Sequence, residues 1–226
     1  CKDNAVSAKV YGQNYEHLDF FIIGDCREQV LYNNFLFGCH DGMRFQKDNG
    51  RGSVNCHALG NAVDGAVNTV VINGLGSDLD LINSQIVALN HDKEADILDF
   101  PLEAYFFTTS PEMDKTVNLF SSNLWGGGNY MCNVQGGTVN IYLTNMAASG
   151  AKYTFNVADN ARMNVVGGYI QKVNKVTNNS TTAANTTVRS TVFDRKGLVG
   201  TWAADDNNLT ISWVMDDMSG LSLIHI

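Results

Sequence analysis

Val117-Asn118-Leu119-Phe120-Ser121-Ser122-Asn123-Leu124 is the stretch whose reading decides the fold. Val117 and Leu119 are aliphatic, Asn118 between them is polar, small polar residues follow, and Leu124 closes the unit. Period-two alternation of this kind means a strand with one buried face. The same pattern returns as Leu79-Asp80-Leu81-Ile82-Asn83-Ser84-Gln85-Ile86, as Val139-Asn140-Ile141-Tyr142-Leu143-Thr144-Asn145-Met146 and as Met163-Asn164-Val165-Val166-Gly167-Gly168-Tyr169-Ile170. Leu209-Thr210-Ile211-Ser212-Trp213 is a looser copy. Two earlier stretches keep the head and change the tail: Leu18-Asp19-Phe20-Phe21-Ile22-Ile23-Gly24-Asp25 and Val54-Asn55-Cys56-His57-Ala58-Leu59-Gly60-Asn61.

The heads fall at residues 18, 54, 79, 117, 139, 163 and 209, and three of the six intervals are 22–25 residues. Such intervals are too long for two-residue hairpins, and nothing between the heads has helical periodicity. Parallel strands normally return through helices. Here the return must use further strands and turns, which predicts an all-β chain folded as a right-handed parallel β-helix, a solenoid. The Asn and Asp at the second position would then align from coil to coil about 4.8 Å apart, where stacked amides can bond along the axis. Gly126-Gly127-Gly128 and Gly136-Gly137 supply the backbone freedom that tight corners need. A β-sandwich is the rival, but its turn signals should recur about every 8–12 residues.

Composition agrees with a turn-rich β protein: 26 Asn and 21 Gly against only 2 Pro, with 15 Lys and Arg. A net charge of -8 argues against nucleic acid or an anionic membrane surface as partner. No apolar run approaches the ~20 residues of a membrane helix. The five cysteines (Cys1, Cys26, Cys39, Cys56, Cys132) include no C-x-x-C pair, and Cys26, Cys39 and Cys56 could stack as small buried groups in neighbouring coils. In an oxidising compartment a disulfide is the alternative.

The ends suggest a fragment lacking its N-terminal part and part of its C-terminal side. Leu221-Ser222-Leu223-Ile224-His225-Ile226 is what CTG-TCT-CTT-ATA-CAC-ATC would encode, a string that resembles the transposon-end adapter of sequencing libraries. The expected organisation is one β-helix domain over 1–220, with a loop excursion or degenerate coil at 175–190 and a non-native tail at 221–226. Residues 1–17 are expected to finish a coil begun upstream. Val30 to Phe37 and Ala104 to Phe107 read as strand-like runs, Cys39 to Phe45 as a loop, and the Thr177 to Thr187 tract as a flexible excursion.

With these features in hand, the cassette, the 22–25 residue period and Gly38 to Phe45 resemble the pectate-lyase-like right-handed β-helix superfamily. That group includes polysaccharide lyases, glycoside hydrolases and phage tailspikes. The resemblance covers about residues 10–175 and implies architecture more than activity. The polygalacturonase branch shows Asn-Thr-Asp, Gly-His-Gly and Arg-Ile-Lys, none intact here. Gly38-Cys39-His40-Asp41-Gly42 echoes the histidine motif only in part, so no catalytic role is carried over.

Chemistry is expected where the repeat fails. The eighth position is Ile86, Leu124, Met146 or Ile170 in the regular copies but Asp25 and Asn61 in the early ones. Asp41 and Asp64, both in Asp-Gly pairs, lie one short coil apart. Asp25, Asp41 and Asp64 are therefore the candidate catalytic carboxylates, since paired carboxylates about 5 Å apart suit retaining and about 6.5–9.5 Å inverting glycoside hydrolysis. Arg44 and His40 could orient a sugar carboxylate, and His57 and Asn61 complete the candidate substrate contacts. The plainer reading makes each Asp-Gly a turn and each His a structural group. Tyr11, Tyr15, Tyr105, Phe106, Phe107, Trp125 and Tyr130 could stack on sugar rings, although Phe106 and Phe107 are not expected to point inward together. No spacing singles out a cofactor, calcium included. Two functions follow: an extracellular polysaccharide-degrading enzyme, or a non-catalytic β-helix (adhesin, or homotrimeric tailspike shaft) that binds glycan or acts as a spacer.

Overall fold

In the computed structural model the chain forms a β-solenoid of about six turns built from three parallel sheets, with little helix. The structure describes residues 5–88, 104–128, 130–148, 153–171, 185–193, 198–205, 208–215 and 222–225. A helix, α1 (Ala5–His17), comes first. The first sheet stacks β1 (Asp19–Ile23), β4 (Asp41–Phe45), β7 (Asn68–Ile72), β10 (Tyr105–Thr109), β13 (Tyr130–Val134) and β16 (Tyr153–Val157). The second stacks β2 (Val30–Tyr32), β5 (His57–Leu59), β8 (Leu79–Ile82), β11 (Thr116–Phe120), β14 (Gly137–Tyr142) and β17 (Ala161–Val166). The third stacks β3 (Phe35–Phe37), β6 (Ala62–Ala66), β9 (Gln85–Ala88), β12 (Asn123–Gly126), β15 (Asn145–Ala148) and β18 (Tyr169–Gln171). β19 (Thr186–Phe193) pairs in parallel with both β17 and β18. β20 (Leu198–Asp205), β21 (Asn208–Met215) and β22 (Ser222–His225) then add antiparallel strands. No helix among the described residues is long and apolar enough to cross a membrane.

The cassette is a second-sheet strand, a two-residue corner and the start of a third-sheet strand. Its first and third residues point inward: Leu79 and Leu81, Val117 and Leu119, Val139 and Ile141, and Met163 and Val165 are all buried. The closing residue forms another inward column, Leu36, Val63, Ile86, Leu124, Met146 and Ile170. Each such side chain stabilises the stack by about 1.5–3 kcal/mol through burial. The first corner residue is left-handed in every coil, with φ of 52° at Asn33, 66° at Gly60, 50° at Asn83, 49° at Ser121, 50° at Leu143, 69° at Gly167 and 53° at Ser190. Where the second corner residue is Ser84, Ser122, Thr144 or Thr191 it is buried and its hydroxyl is hydrogen-bonded. Ser122 Oγ and Thr144 Oγ1 donate to Phe120 and Tyr142 carbonyls at 3.0 and 3.1 Å, and they accept from Ser84 N and Ser122 N of the preceding coils.

Outward, the second cassette position makes a side-chain ladder. Thr187 Oγ1 donates to Asn164 Oδ1 (2.7 Å), Asn164 Nδ2 to Asn140 Oδ1, Asn140 Nδ2 to Asn118 Oδ1, and Asn118 Nδ2 to Asp80 Oδ1 (each 2.9 Å). The bonds run one way and end on a carboxylate that only accepts. His57 Nδ1 stands 3.5 Å from Asp80 on its other side.

Several expectations change. Residues 5–17 are helical and do not finish a coil, and Cys39 to Phe45 contains β4. The looser cassette at Leu209 lies in β21, outside the parallel stack. Val30 to Phe37 is two strands broken at the Asn33-Asn34 corner. Phe106 and Phe107 both belong to the buried core. This is compatible with one strand because Phe106 sits where the third sheet meets the first, beside Ala88 and Gly128, while Phe107 continues the inward column. At the same corner two coils earlier Gly42 leaves no room for a side chain, since a Cβ there would lie 2.4 Å from Val63 and 2.7 Å from the Thr69 carbonyl. Most of the Thr177 to Thr187 tract, residues 177–184, lies outside the described residues, whereas Thr186 and Thr187 begin β19. Of the tail, Ser222–His225 form β22, and residues 221 and 226 lie outside the described ones.

Candidate functional site

Sheet register decides which candidate residues can act together. Asp41 starts β4 on the first sheet and stacks between Asp19 and Asn68. Asp64 lies on β6 in the third sheet, paired with Phe37. Asp25 follows β1, where its carboxylate meets Arg51 Nη2 at 2.6 Å. The three carboxylates belong to different faces of the coil, so the structure does not bring them together. The premise behind Asp25 and Asn61 also changes. In coil two the corner is Gly60-Asn61, so its cassette runs from Cys56 to Val63, and that of coil one from Gln29 to Leu36. Their closing residues are Leu36 and Val63, both buried aliphatics. The closing position is kept where the repeat looked broken, whereas the head of coil one departs from it, with an exposed Gln29 in the first place.

Asn61 is a buried corner group. Its Oδ1 accepts from Asn34 N (3.1 Å) and Asn34 Nδ2 (2.8 Å), and its Nδ2 donates to the Leu31 carbonyl (2.8 Å). His57 is half-exposed at the head of the amide ladder. Neither shares a cleft with Asp41.

Asp41 is the centre of a compact charged cluster, with a side chain only 3% exposed. His40 Nδ1 donates to its Oδ1 at 2.8 Å, as does Asn68 Nδ2 at 2.8 Å. Arg44 reaches its Oδ2 through Nη2 at 2.6 Å and Nε at 2.7 Å, and extends Nη1 to Asp19 Oδ2 at 3.1 Å. Asp19 was not among the expected residues; a repeat of 22 residues from Asp41 was the signal that could have found it. Burial alone would push the Asp41 carboxyl up, but the hydrogen bonds from His40, Asn68 and Arg44 outweigh it and hold the carboxyl below the usual range. His40 moves up, mainly through its bond to Asp41 and against its own burial. Asp19, His40 and Asp41 offer ligand atoms within 4.8 Å of one another. The Arg44 guanidinium already bridges the two carboxylates, supplying the positive charge a metal ion would bring. The cluster is a charge-paired network in which, among the described residues, only the Asn68 Oδ1, buried on the far side of its amide, lacks a hydrogen-bond partner.

A different surface offers unsatisfied groups. On the outer face of the third sheet, Gln85, Asn123, Leu124, Trp125, Asn145 and Ala147 line a cleft of about 190 Å³ with no charged residue. The strand register stacks Gln85, Asn123 and Asn145 in one column and sets Trp125 beside Ala147. Trp125 is 43% exposed. Asn145 Nδ2 donates to Asn123 Oδ1 at 3.1 Å. Among the described residues that leaves Asn123 Nδ2, Asn145 Oδ1 and the Gln85 amide without a hydrogen-bond partner. An exposed indole face beside free amide donors and acceptors can stack on one side of a ring and hydrogen-bond its rim.

No family model, curated protein or solved structure matches this chain. What can be said of its function rests on the geometry of these two places.

Proposed function

We propose that this β-solenoid is a non-catalytic carbohydrate-binding protein that receives an uncharged stretch of glycan on the outer face of its third sheet. The observation that carries the reading is the Trp125 cleft, where an exposed indole stands beside three side-chain amides and no charge. Sugar rings present an apolar C–H face and a rim of hydroxyls, which matches this mixture. Repetition of the amide column over three coils suits a polymer lying along the axis. Such a protein would act outside the cell, on a cell surface or a virion.

Degradation at Asp41 is less well supported. A glycosidase needs one carboxyl that keeps its proton near neutral pH. Asp41 is shifted the other way and its oxygens are occupied by His40, Asn68 and Arg44.

The test is a glycan array followed by titration of the best ligands with heteronuclear NMR. Binding should perturb the Trp125 indole and the Asn123 and Asn145 amides, and Trp125→Ala should weaken affinity at least about tenfold, the loss of roughly 1.4 kcal/mol of stacking. Unchanged binding by Trp125→Ala would remove the proposed site. Release of new reducing ends by the wild type, abolished in Asp41→Asn, would replace it with the degradative reading.

A further inference from the structure

We propose that Cys26 and Cys56 form a reversible disulfide that clamps the first coil of the solenoid to the second. Their sulfurs lie 3.6 Å apart across 30 residues of sequence. All four described cysteines carry free thiols, and among the described residues only this pair is in contact. Cys56 fills the inward position that Leu79, Val117, Val139 and Met163 occupy in later coils, and Cys26 meets it from the coil beneath.

The backbone holds the two cysteine-bearing segments together. Val54 N donates to the Cys26 carbonyl and Glu28 N to the Val54 carbonyl, both at 2.9 Å, so the two segments run side by side. That register puts Ser53 opposite Cys26 and Gln29 opposite Cys56, so it is the side chains, 3.6 Å apart at sulfur, that meet across the left-handed turns at Glu28 and Asn55. Closing the gap asks the sulfurs to approach by about 1.5 Å, which side-chain rotation can supply.

Access is one-sided, which sets the order of events. Cys26 is half-buried, whereas Cys56 is 3% exposed and Cys39 and Cys132 have no exposure. With a small-molecule disulfide as oxidant, the Cys26 thiolate attacks one sulfur, the reagent's S–S bond breaks and one thiolate leaves. Cys56, as thiolate, then attacks Sγ of Cys26 and expels the second. Two protein thiols lose two protons and two electrons, and the reagent becomes two thiols. Burial pushes the Cys26 thiol up to about 11, with the Cys56 contact and the Asp25 charge adding to it, so the first step quickens as pH rises.

The bond matters because β1, β2 and β3 have a strand neighbour in their sheets on one side only. A terminal coil is where opening begins. The redox state of this pair then decides whether the first coil can peel away.

The experiment treats the full chain with oxidised glutathione, alkylates the remaining thiols and maps tryptic peptides. The expected product joins peptide Val10–Arg27 to peptide Gly52–Lys93, about 2 Da lighter than the two peptides combined. The oxidised protein should melt about 5 °C or more above the reduced one. Cys26→Ser, at the more exposed position, should abolish both the link and the shift while its reduced melting stays that of the wild type. A stable glutathione adduct left on Cys26, or a link involving Cys1, Cys39 or Cys132 instead, overturns the proposal. So does a Cys26–Cys56 link that leaves the melting temperature unchanged.

Discussion

Leu143 is the one apolar residue in the corner column, and its backbone conformation disfavours such a side chain. The column holds Asn, Gly or Ser in the other six coils, and all seven residues have φ between 49° and 69°. Asn and Gly tolerate that conformation, whereas it costs an ordinary L-residue about 1–2 kcal/mol. Leu143 recovers little in exchange, since it is 67% exposed, with its Cδ2 lying over Gly167. Burying about a third of a leucine contributes roughly 0.5–1 kcal/mol. Leu143→Asn should therefore stabilise the protein by about 0.5–1 kcal/mol, a rise of roughly 1–4 °C in melting temperature. Leu143→Gly should be near neutral, because its easier backbone is offset by about 0.5–1 kcal/mol of added freedom in the unfolded chain. Leu143→Ala keeps the strain, loses the contact and should be destabilised. Urea unfolding followed by circular dichroism gives the ranking Asn, then Gly and wild type, then Ala. If Ala matches or exceeds Asn, the gain comes from removing an exposed apolar side chain and the backbone argument fails.

Two further perturbations test the polar columns. Asn140→Ala breaks the ladder at both of its 2.9 Å bonds and should cost about 1–3 kcal/mol in urea unfolding; a loss under roughly 0.3 kcal/mol would make the ladder ornamental. The Asp41 cluster should give stability a pH window. Asp41 titrates below its unfolded value, so its contribution is present above about pH 4 and lost as pH falls through the folded value. His40 titrates above its unfolded value, so its contribution is complete below about pH 6.5 and lost as pH rises through the folded one. Asp41→Asn should flatten both limbs in urea midpoints taken from pH 3 to 9 (about the span of both titrations). An alkaline limb that survives in Asp41→Asn would mean that His40 owes its shift to another partner.

The sequence was informative where a rule applies to each coil alike. Alternation exposed the inward columns from Leu79 to Val165, and Asn118, Asn140 and Asn164 announced the ladder. It misled in the first two coils. There the second cassette residues are Val30 and His57, not Asn or Asp, so the eye settles on Leu18-Asp19 and Val54-Asn55. Leu18-Asp19 belongs to the first sheet, and Val54-Asn55 precedes its strand by two residues. Phase explains the site as well. Asp41 and Asp64 are separated by nearly one period, but the residues between β4 and β5 lengthen that coil. The coil partner of Asp41 becomes Asn68, 27 residues away, and Asp64 falls on another sheet. A period fixes neighbours only between residues of equal phase, and insertions reset the phase. The Trp125 cleft was half legible: the indole was evident, but its three amides come from three coils and meet only once the register is known.

The uniform corner has a consequence for how such a chain can change length. Asn118, Asn140 and Asn164 occupy the same place in successive coils, with a left-handed corner residue three positions on in each. Excising 119–140 would join Asn118 to Ile141, and every ladder, corner and inward column on either side would meet an equivalent partner. The molecule would be shorter by one strand spacing, about 4.8 Å, and otherwise unchanged. Duplication of the same span would lengthen it by that step. A deletion that joined strand positions that are not equivalent would put polar side chains where aliphatic ones must stand. Its length is therefore quantised: the rod can be trimmed or extended in whole turns, and selection for reach acts on a ruler whose divisions are set by a hydrogen bond.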